Sequence, residues 1–192
     1  FLKGGDSASI PVLCVFDSEE VGSVSPQGAG SSLLEDTLGR ICDGLKLNRG
    51  RMLAQSFLVS ADNAHAVHPN HPEYADPGNA PVMGGGLVIK YNANLSYCTD
   101  SVSAAVFRKI CGRAGVKVQT YHNRADLPGG STLGRISLAH VSVPTVDIGL
   151  AQLAMHSCYE TAAVSDAIDL ETAMAAYYGS TLEATESGFS IL

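Results

Sequence analysis

The sequence predicts an α/β fold: a three-layer α/β/α arrangement with a mixed, mostly parallel sheet between helices. Three observations predict it. Short apolar runs of strand length recur along the chain, stretches with helical apolar spacing lie between them, and the connections are rich in Gly, Pro, Asn and Ser. The 192 residues suit one well-buried domain, read as a single unit over 1–192.

Ile10 to Phe16 is a continuous apolar run and predicts a buried strand. A Gly, Ser and Pro-rich turn follows, from Gly22 to Ser32. Leu33, Leu34, Leu38, Ile41 and Leu45 then recur at helical spacing, and Gly50 is expected to break the chain. Phe57 to Ala61 is a second strand. His65 to Gly86, rich in Pro, Gly, Asn and His, is a long loop of the kind that carries function.

Leu87 to Ile89 is the third strand. Asp100 is placed to cap a helix running to about Ala114, with Val102, Val106, Ile110 and Cys111 on one face. Val116 to Thr120 is the fourth strand, Asn123 to Gly134 a Gly-rich loop, and Ile136 to His140 a short helix or turn. Val141 to Ile148 is the fifth strand. A long helix is expected from Tyr159 to Tyr178, and the polar tail after Gly179 is expected to fray.

The net charge of -7 opposes binding to nucleic acid or to an anionic membrane surface, both of which need a basic face. No apolar run approaches membrane-span length, and no basic segment leads into an apolar stretch at the start. The chain begins at Phe1, which is read as a piece of a longer protein. Five scattered cysteines without a close pair are read as reduced core thiols of a cytoplasmic protein and poor zinc ligands.

Four patches at or beyond the ends of apolar runs carry the chemistry: Asp17 to Ser23, Ser60 to His65, Lys90 to Asn94 and Gln152 to Ser157. In α/β folds sites form in loops beyond strand ends. Glu19 and Glu20 supply tandem carboxylates, Asp62 a third, and His156 an imidazole. A metal hydrolase needs carboxylate and imidazole ligands plus a spare carboxylate to take a proton from water. Taken singly, each patch is ordinary: Glu-Glu in an acidic turn, Asp62 as a cap, His156 among apolar neighbours. His65, His68 and His71 share the long loop, and His65 is the one favoured as functional. Lys90 is read as a positive charge for an acidic substrate group, against the plainer reading of an exposed sheet-edge lysine. Gly129-Gly130-Ser131-Thr132 lacks the lysine of a phosphate-binding loop.

Together the patches resemble the aspartyl aminopeptidase family of cytosolic metallopeptidases. The matching segments are Phe16 to Ser23, Asp62 to Asn70, Val88 to Lys90, Asn123 to Asp126, Gly130 to Gly134 and Gln152 to Ser157, in the family's order. The resemblance implies a zinc-peptidase-like fold and removal of N-terminal residues, acidic ones in particular, from peptides by a metal-bridging hydroxide. It implies Glu19 as general base, Glu20 and His156 as ligands of one zinc, Asp62 as ligand of another, and His65 and Lys90 as substrate contacts. Cobalt or manganese are accepted alternatives to zinc. Assembly into homo-oligomers is implied as well.

The chain departs from the family pattern where it matters most. A further metal-binding His and a metal-bridging Asp have no counterpart, Asp6 and Asp17 being in the wrong context, and the family's dimerisation insert is missing. Ala151, Arg135 and His71 are smaller departures. The chain alone is therefore expected to bind one metal at most and to be weak or inactive. Two other readings stay open: a non-catalytic assembly subunit that keeps the fold, and a related metallo-carboxypeptidase or deacylase.

Overall fold

A four-stranded sheet positions the rest of the chain in the computed structural model, which describes residues 1–192. In chain order the elements are α1 (Leu33–Gly44), α2 (Arg49–Ala54), β1 (Leu58–Ala61), β2 (Ala64–His65), β3 (Leu87–Tyr91), α3 (Ser101–Arg113) and β4 (Val118–His122). They continue with α4 (Leu133–Leu138), β5 (Thr145–Gly149), β6 (Ala151–Leu153), β7 (Thr161–Ala162), α5 (Val164–Gly179), β8 (Leu182–Thr185) and β9 (Gly188–Ile191). The sheet order is β1-β5-β3-β4. The β1/β5 and β3/β4 pairs are parallel and β3/β5 is antiparallel, so the sheet is mixed. A smaller sheet, β2-β6-β7, grows beyond the same strand ends.

Alternation along the strands divides the two faces. Leu87 and Ile89 of β3 and Val146 and Ile148 of β5 point to one side. There they pack with Ala104, Phe107 and Cys111 of α3 and Ala173 of α5 in the main core. Helix α3 starts where the sequence predicts. The Asp100 carboxylate accepts from Ser103 N at 2.7 Å, and the Ser103 hydroxyl accepts from Asp100 N at 3.0 Å. This reciprocal cap satisfies donors that the first helical turn leaves unpaired. Phe107 and Cys111, four residues apart, are both fully buried.

The opposite face is polar at its centre. Val88 packs with Tyr97, Tyr121, Ala64 and Ala151, and Lys90 follows Val88 on that side. Asp147 and Ser60 sit side by side in the register of β1 with β5. Asp147 is fully buried, accepting from Thr132 Oγ1 at 2.7 Å and from Cys98 N. Helix α4 covers this corner. A Cβ on Gly134 would come 2.7 Å from Ser60 Oγ and 2.8 Å from Asp147 Oδ1, so only glycine allows the approach. Helices therefore flank both faces of a mixed sheet, as the sequence predicts.

Four expectations change. Ile10 to Phe16 is no strand. It has no backbone pairing with any sheet, and Leu13 and Val15 are 59% and 83% exposed. Its apolar residues satisfy strand propensity, but a strand also needs a neighbouring backbone. Arg49 to Ala54 forms α2 despite Gly50, because the Asn48 side chain caps it by accepting from Arg51 N at 2.9 Å. The last helix begins at Val164 instead of Tyr159, since Thr161 and Ala162 pair with β6. The tail forms the β8/β9 hairpin, whose Phe189 ring packs edge-on against Phe57 at 5.4 Å. Among the cysteines, all free, Cys42 and Cys111 are buried while Cys14 and Cys158 are exposed.

Candidate metal and catalytic site

Glu19 opens a short 3-10 turn, Glu19–Val21, between two residues of left-handed backbone: Ser18 at φ 60° and Gly22 at φ 100°. Ser23, also left-handed at φ 61°, is fully buried and anchors the turn. Its N–H donates to Ser18 O at 2.8 Å and its carbonyl accepts from Gly30 N at 3.0 Å. Non-glycine residues in this region cost energy that surrounding bonds must offset. The result is that Glu19 and Glu20 both leave the chain on the sheet's polar side.

The second contributor is the loop after β6. Ala154 and His156 have positive φ values of 56° and 67°. The His156 backbone N–H donates to Glu160 Oε1 at 2.6 Å. This conformation brings His156 Nε2 to 2.8 Å from Glu20 Oε2, both side chains remaining exposed.

Asp62 arrives from the end of β1. Its backbone N–H donates to Ile148 O at 3.0 Å, continuing the β1/β5 ladder. Its carboxylate is 3.7 Å from Lys90 Nζ. A Cβ at Gly149 would fall 2.0 Å from the Asp62 carbonyl oxygen, so Asp62 lies directly against β5. His65 follows on β2, where it pairs with Gln152 of β6.

These residues act on one another's charges. Burial pushes the Glu19 carboxyl above its ordinary value, the neighbouring charges of Asp62 and Glu20 add to this, and His156 and Lys90 oppose it. Burial holds the His65 imidazole low, the positive charges of His156 and Lys90 act in the same direction, and Asp62 opposes them. Like charges raise a carboxyl and lower an imidazole when they share a site. All six residues singled out from the sequence are thus brought to one region. A half-buried carboxylate with raised proton affinity is suited to taking and returning a proton.

Lys90, expected to supply a positive charge for an acidic substrate group, is buried. Its side chain is 1% exposed. Nζ donates to Asp62 O at 2.7 Å and to Asn63 O at 3.3 Å, and lies 5.1 Å above the Tyr97 ring. Two further residues of the site, Asn63 and Gln152, lie within the patches singled out from the sequence but have no role assigned there. Asn63 donates through Nδ2 to Gln152 Oε1 and accepts at Oδ1 from Leu150 N at 3.3 Å. Their only clue is position, beside Asp62 and four residues before His156.

Carboxylate oxygens and imidazole nitrogen are zinc donors, and Glu20 with His156 presents two such atoms in direct contact, 2.8 Å apart. No group of three or more His, Cys, Asp or Glu side chains converges to hold a metal. The donors fit zinc in kind and supply part of its coordination sphere.

A family described as aminopeptidase I zinc metalloprotease (M18) matches residues 4–178. A probable M18 family aminopeptidase 2 of Mycobacterium bovis is 46% identical over 183 residues, covering 92% of this chain and 42% of that protein. A probable aspartyl aminopeptidase of Ricinus communis is 45% identical over 165 residues, covering 84% of this chain and 33% of that one. Among solved structures, Ape4 in a complex with Nbr1 superposes with a TM-score of 0.82 at 39% identity, over 85% of this chain and 32% of that one. The Saccharomyces mApe1 dodecamer gives 0.70 at 28% identity, over 85% of this chain and 36% of that one. The chain thus spans less than half the length of these relatives.

Proposed function

Because the chain belongs to the aminopeptidase I zinc metalloprotease (M18) family, we propose that it forms part of the active site of a zinc-dependent aminopeptidase. The observation that carries this reading is the convergence of Glu20 and His156, 2.8 Å apart, with Glu19 and Asp62 facing them. Glu20 and His156 would hold one zinc, and Asp62 would serve a second in the intact protein. Bound zinc supplies Lewis acidity toward the peptide carbonyl and acidifies water.

Glu19 takes the proton from the attacking water and returns it to the departing amine. Its raised proton affinity suits both steps. His65, held by the β2/β6 pairing, would contact the substrate. A preference for acidic N-terminal residues is supported by the name of the Ricinus relative, and assembly into a homo-oligomer by the dodecamer of the mApe1 structure.

The incomplete donor set supports a further part of the proposal: residues 1–192 alone are weak or inactive. Further ligands, a His and an Asp, would come from other parts of the intact protein. Release of p-nitroaniline from Asp- and Leu-p-nitroanilides, with zinc present, tests the reading in the chain alone and in its full-length context. Turnover in full-length protein that Glu19→Gln abolishes supports it. Absence of zinc-dependent turnover in the full-length protein sinks it and favours a non-catalytic subunit.

A further inference from the structure

We propose that the groove between α3 and the β8/β9 hairpin binds a medium-chain fatty acid, with the alkyl chain in the groove and the carboxylate on Lys109. Neither zinc nor turnover enters this inference.

Two elements supply the walls. Val102, Ala105 and Lys109 recur along one face of α3 at helical spacing, and all three are exposed. Gly188, Phe189 and Ile191 of β9 line the other side. The groove encloses about 320 Å³, at the small end of the range for ligand cavities.

The hairpin is held against α3 at both ends. Gly188 sits so near Val102 that an added Cβ would lie 3.2 Å from Val102 Cγ1. Arg113 donates to the Ile191 carbonyl at 3.0 Å. Between them, Phe189 packs edge-on against Phe57 at 5.4 Å. The close approach at Gly188 narrows the groove near the start of α3. From there it runs two helical turns toward Lys109, about 10 Å, a length that suits a medium-chain acid.

Lys109 is the only charged residue lining the groove. It belongs to none of the chain's ion pairs, although acidic residues exceed basic ones by 19 to 12. Arg113 follows on the same face of α3 and adds a second positive charge at that end. Cations beside apolar walls match a ligand with one anionic end and an apolar stem. A phosphate would leave the apolar walls uncovered, and a neutral lipid would leave Lys109 unpaired. Both hairpin strands lie outside residues 4–178, the part that matches the family, so one wall of the groove is not part of the matched region.

Isothermal titration calorimetry of the full-length protein with octanoate, hexanoate and 1-octanol tests the proposal. The variants are Lys109→Met and Ala105→Trp, with circular dichroism to check folding. Wild type is expected to bind one octanoate, more tightly than hexanoate by about fourfold for each CH2 buried, and 1-octanol about 10-fold more weakly. Lys109→Met is expected to lower octanoate affinity by about 10-fold and to leave 1-octanol affinity unchanged. Ala105→Trp fills the groove and is expected to abolish binding of both. Absence of saturable octanoate binding overturns the proposal. Binding that both variants leave unchanged also overturns it, by placing the acid elsewhere, and equal affinity for octanoate and 1-octanol removes the ammonium from recognition. If Ala105→Trp does not fold, Lys109→Met decides alone, and unchanged octanoate affinity there contradicts the proposal. Because binding is the readout, an inactive full-length protein would sink the aminopeptidase reading and leave this test intact.

Discussion

Glu20 Oε2 and His156 Nε2 meet at 2.8 Å although they come from opposite ends of the chain. The contact depends on two strained loops, with Ser18 and His156 both in left-handed backbone. Exposed ion pairs contribute little to stability, so a purely stabilising role does not account for the strain. Either Glu20→Gln or His156→Ala is expected to weaken zinc binding by at least about 10-fold, by analogy with ligand-shell substitutions, while leaving the melting temperature nearly unchanged. Chelator competition and thermal denaturation check the two halves of this expectation.

Glu19→Gln has a different signature. The amide keeps the size of the side chain and removes the base. Zinc affinity is expected to stay near wild type while kcat of the full-length enzyme falls by about 10²- to 10⁴-fold. Parallel calorimetry and steady-state kinetics separate this outcome from a ligand loss, in which both quantities fall together.

Gly149→Ala tests the seat of Asp62. The added Cβ would lie 2.0 Å from the Asp62 carbonyl oxygen and 2.9 Å from Asn63 Cα, both backbone atoms that cannot swing away. The expected cost is about 1–3 kcal/mol, typical of overpacking, with a lowered denaturation midpoint and weakened zinc binding in the same variant. A variant with wild-type stability and zinc affinity would show that the Asp62 turn is not held against β5.

Thiol chemistry reports the core directly. Burial pushes Cys98 and Cys111 up to about 12, from an ordinary value of 9.0. The thiolate is the reactive form. At pH 8 both are expected to resist a thiol reagent in the native chain, while exposed Cys158 reacts first. The folded values exceed the unfolded ones, so the native state holds these protons longer. Stability from these groups is therefore fully present below pH 9.0 and falls as pH rises from there toward about 12. Urea midpoints from pH 8 to 10 check the direction.

Much of the frame was legible because local pattern and tertiary need agree. Helix α3 has a capping Asp100 and apolar spacing that lands Phe107 and Cys111 in the core. Strand β3 is apolar because both faces are covered. The rest depended on information outside the local window. Ile10 to Phe16 has strand composition but no backbone partner. Gly50 lies inside a helix that Asn48 nucleates. The polar tail hides Phe189, which finds Phe57 far away in sequence. Phe189→Ala should cost on the order of 1–2 kcal/mol from lost burial and ring contact, and hydrogen exchange at β8 and β9 would show the hairpin fraying.

The site follows the same division. Glu19, Glu20, Asp62 and His156 stood out because each follows an apolar run, and the fold brings them to one region although the run before Glu19 forms no strand. The environment of Lys90 was not legible, since a lysine read as a positive charge for an acidic substrate group gives no sign of what packs around it. Only the tertiary structure brings Tyr97 over it and the Asp62 and Asn63 carbonyls against it. Asn63 and Gln152 are uncharged and common, and their mutual bond is a property of the β2/β6 pairing.

The most direct test of the central claim is zinc-dependent release of p-nitroaniline from Asp-p-nitroanilide by the full-length protein, compared with its Glu19→Gln variant and with residues 1–192 alone. Turnover that requires zinc, disappears in Glu19→Gln and is weak or missing in the isolated chain is the predicted result. Turnover that survives Glu19→Gln, or that proceeds equally without zinc, would contradict it.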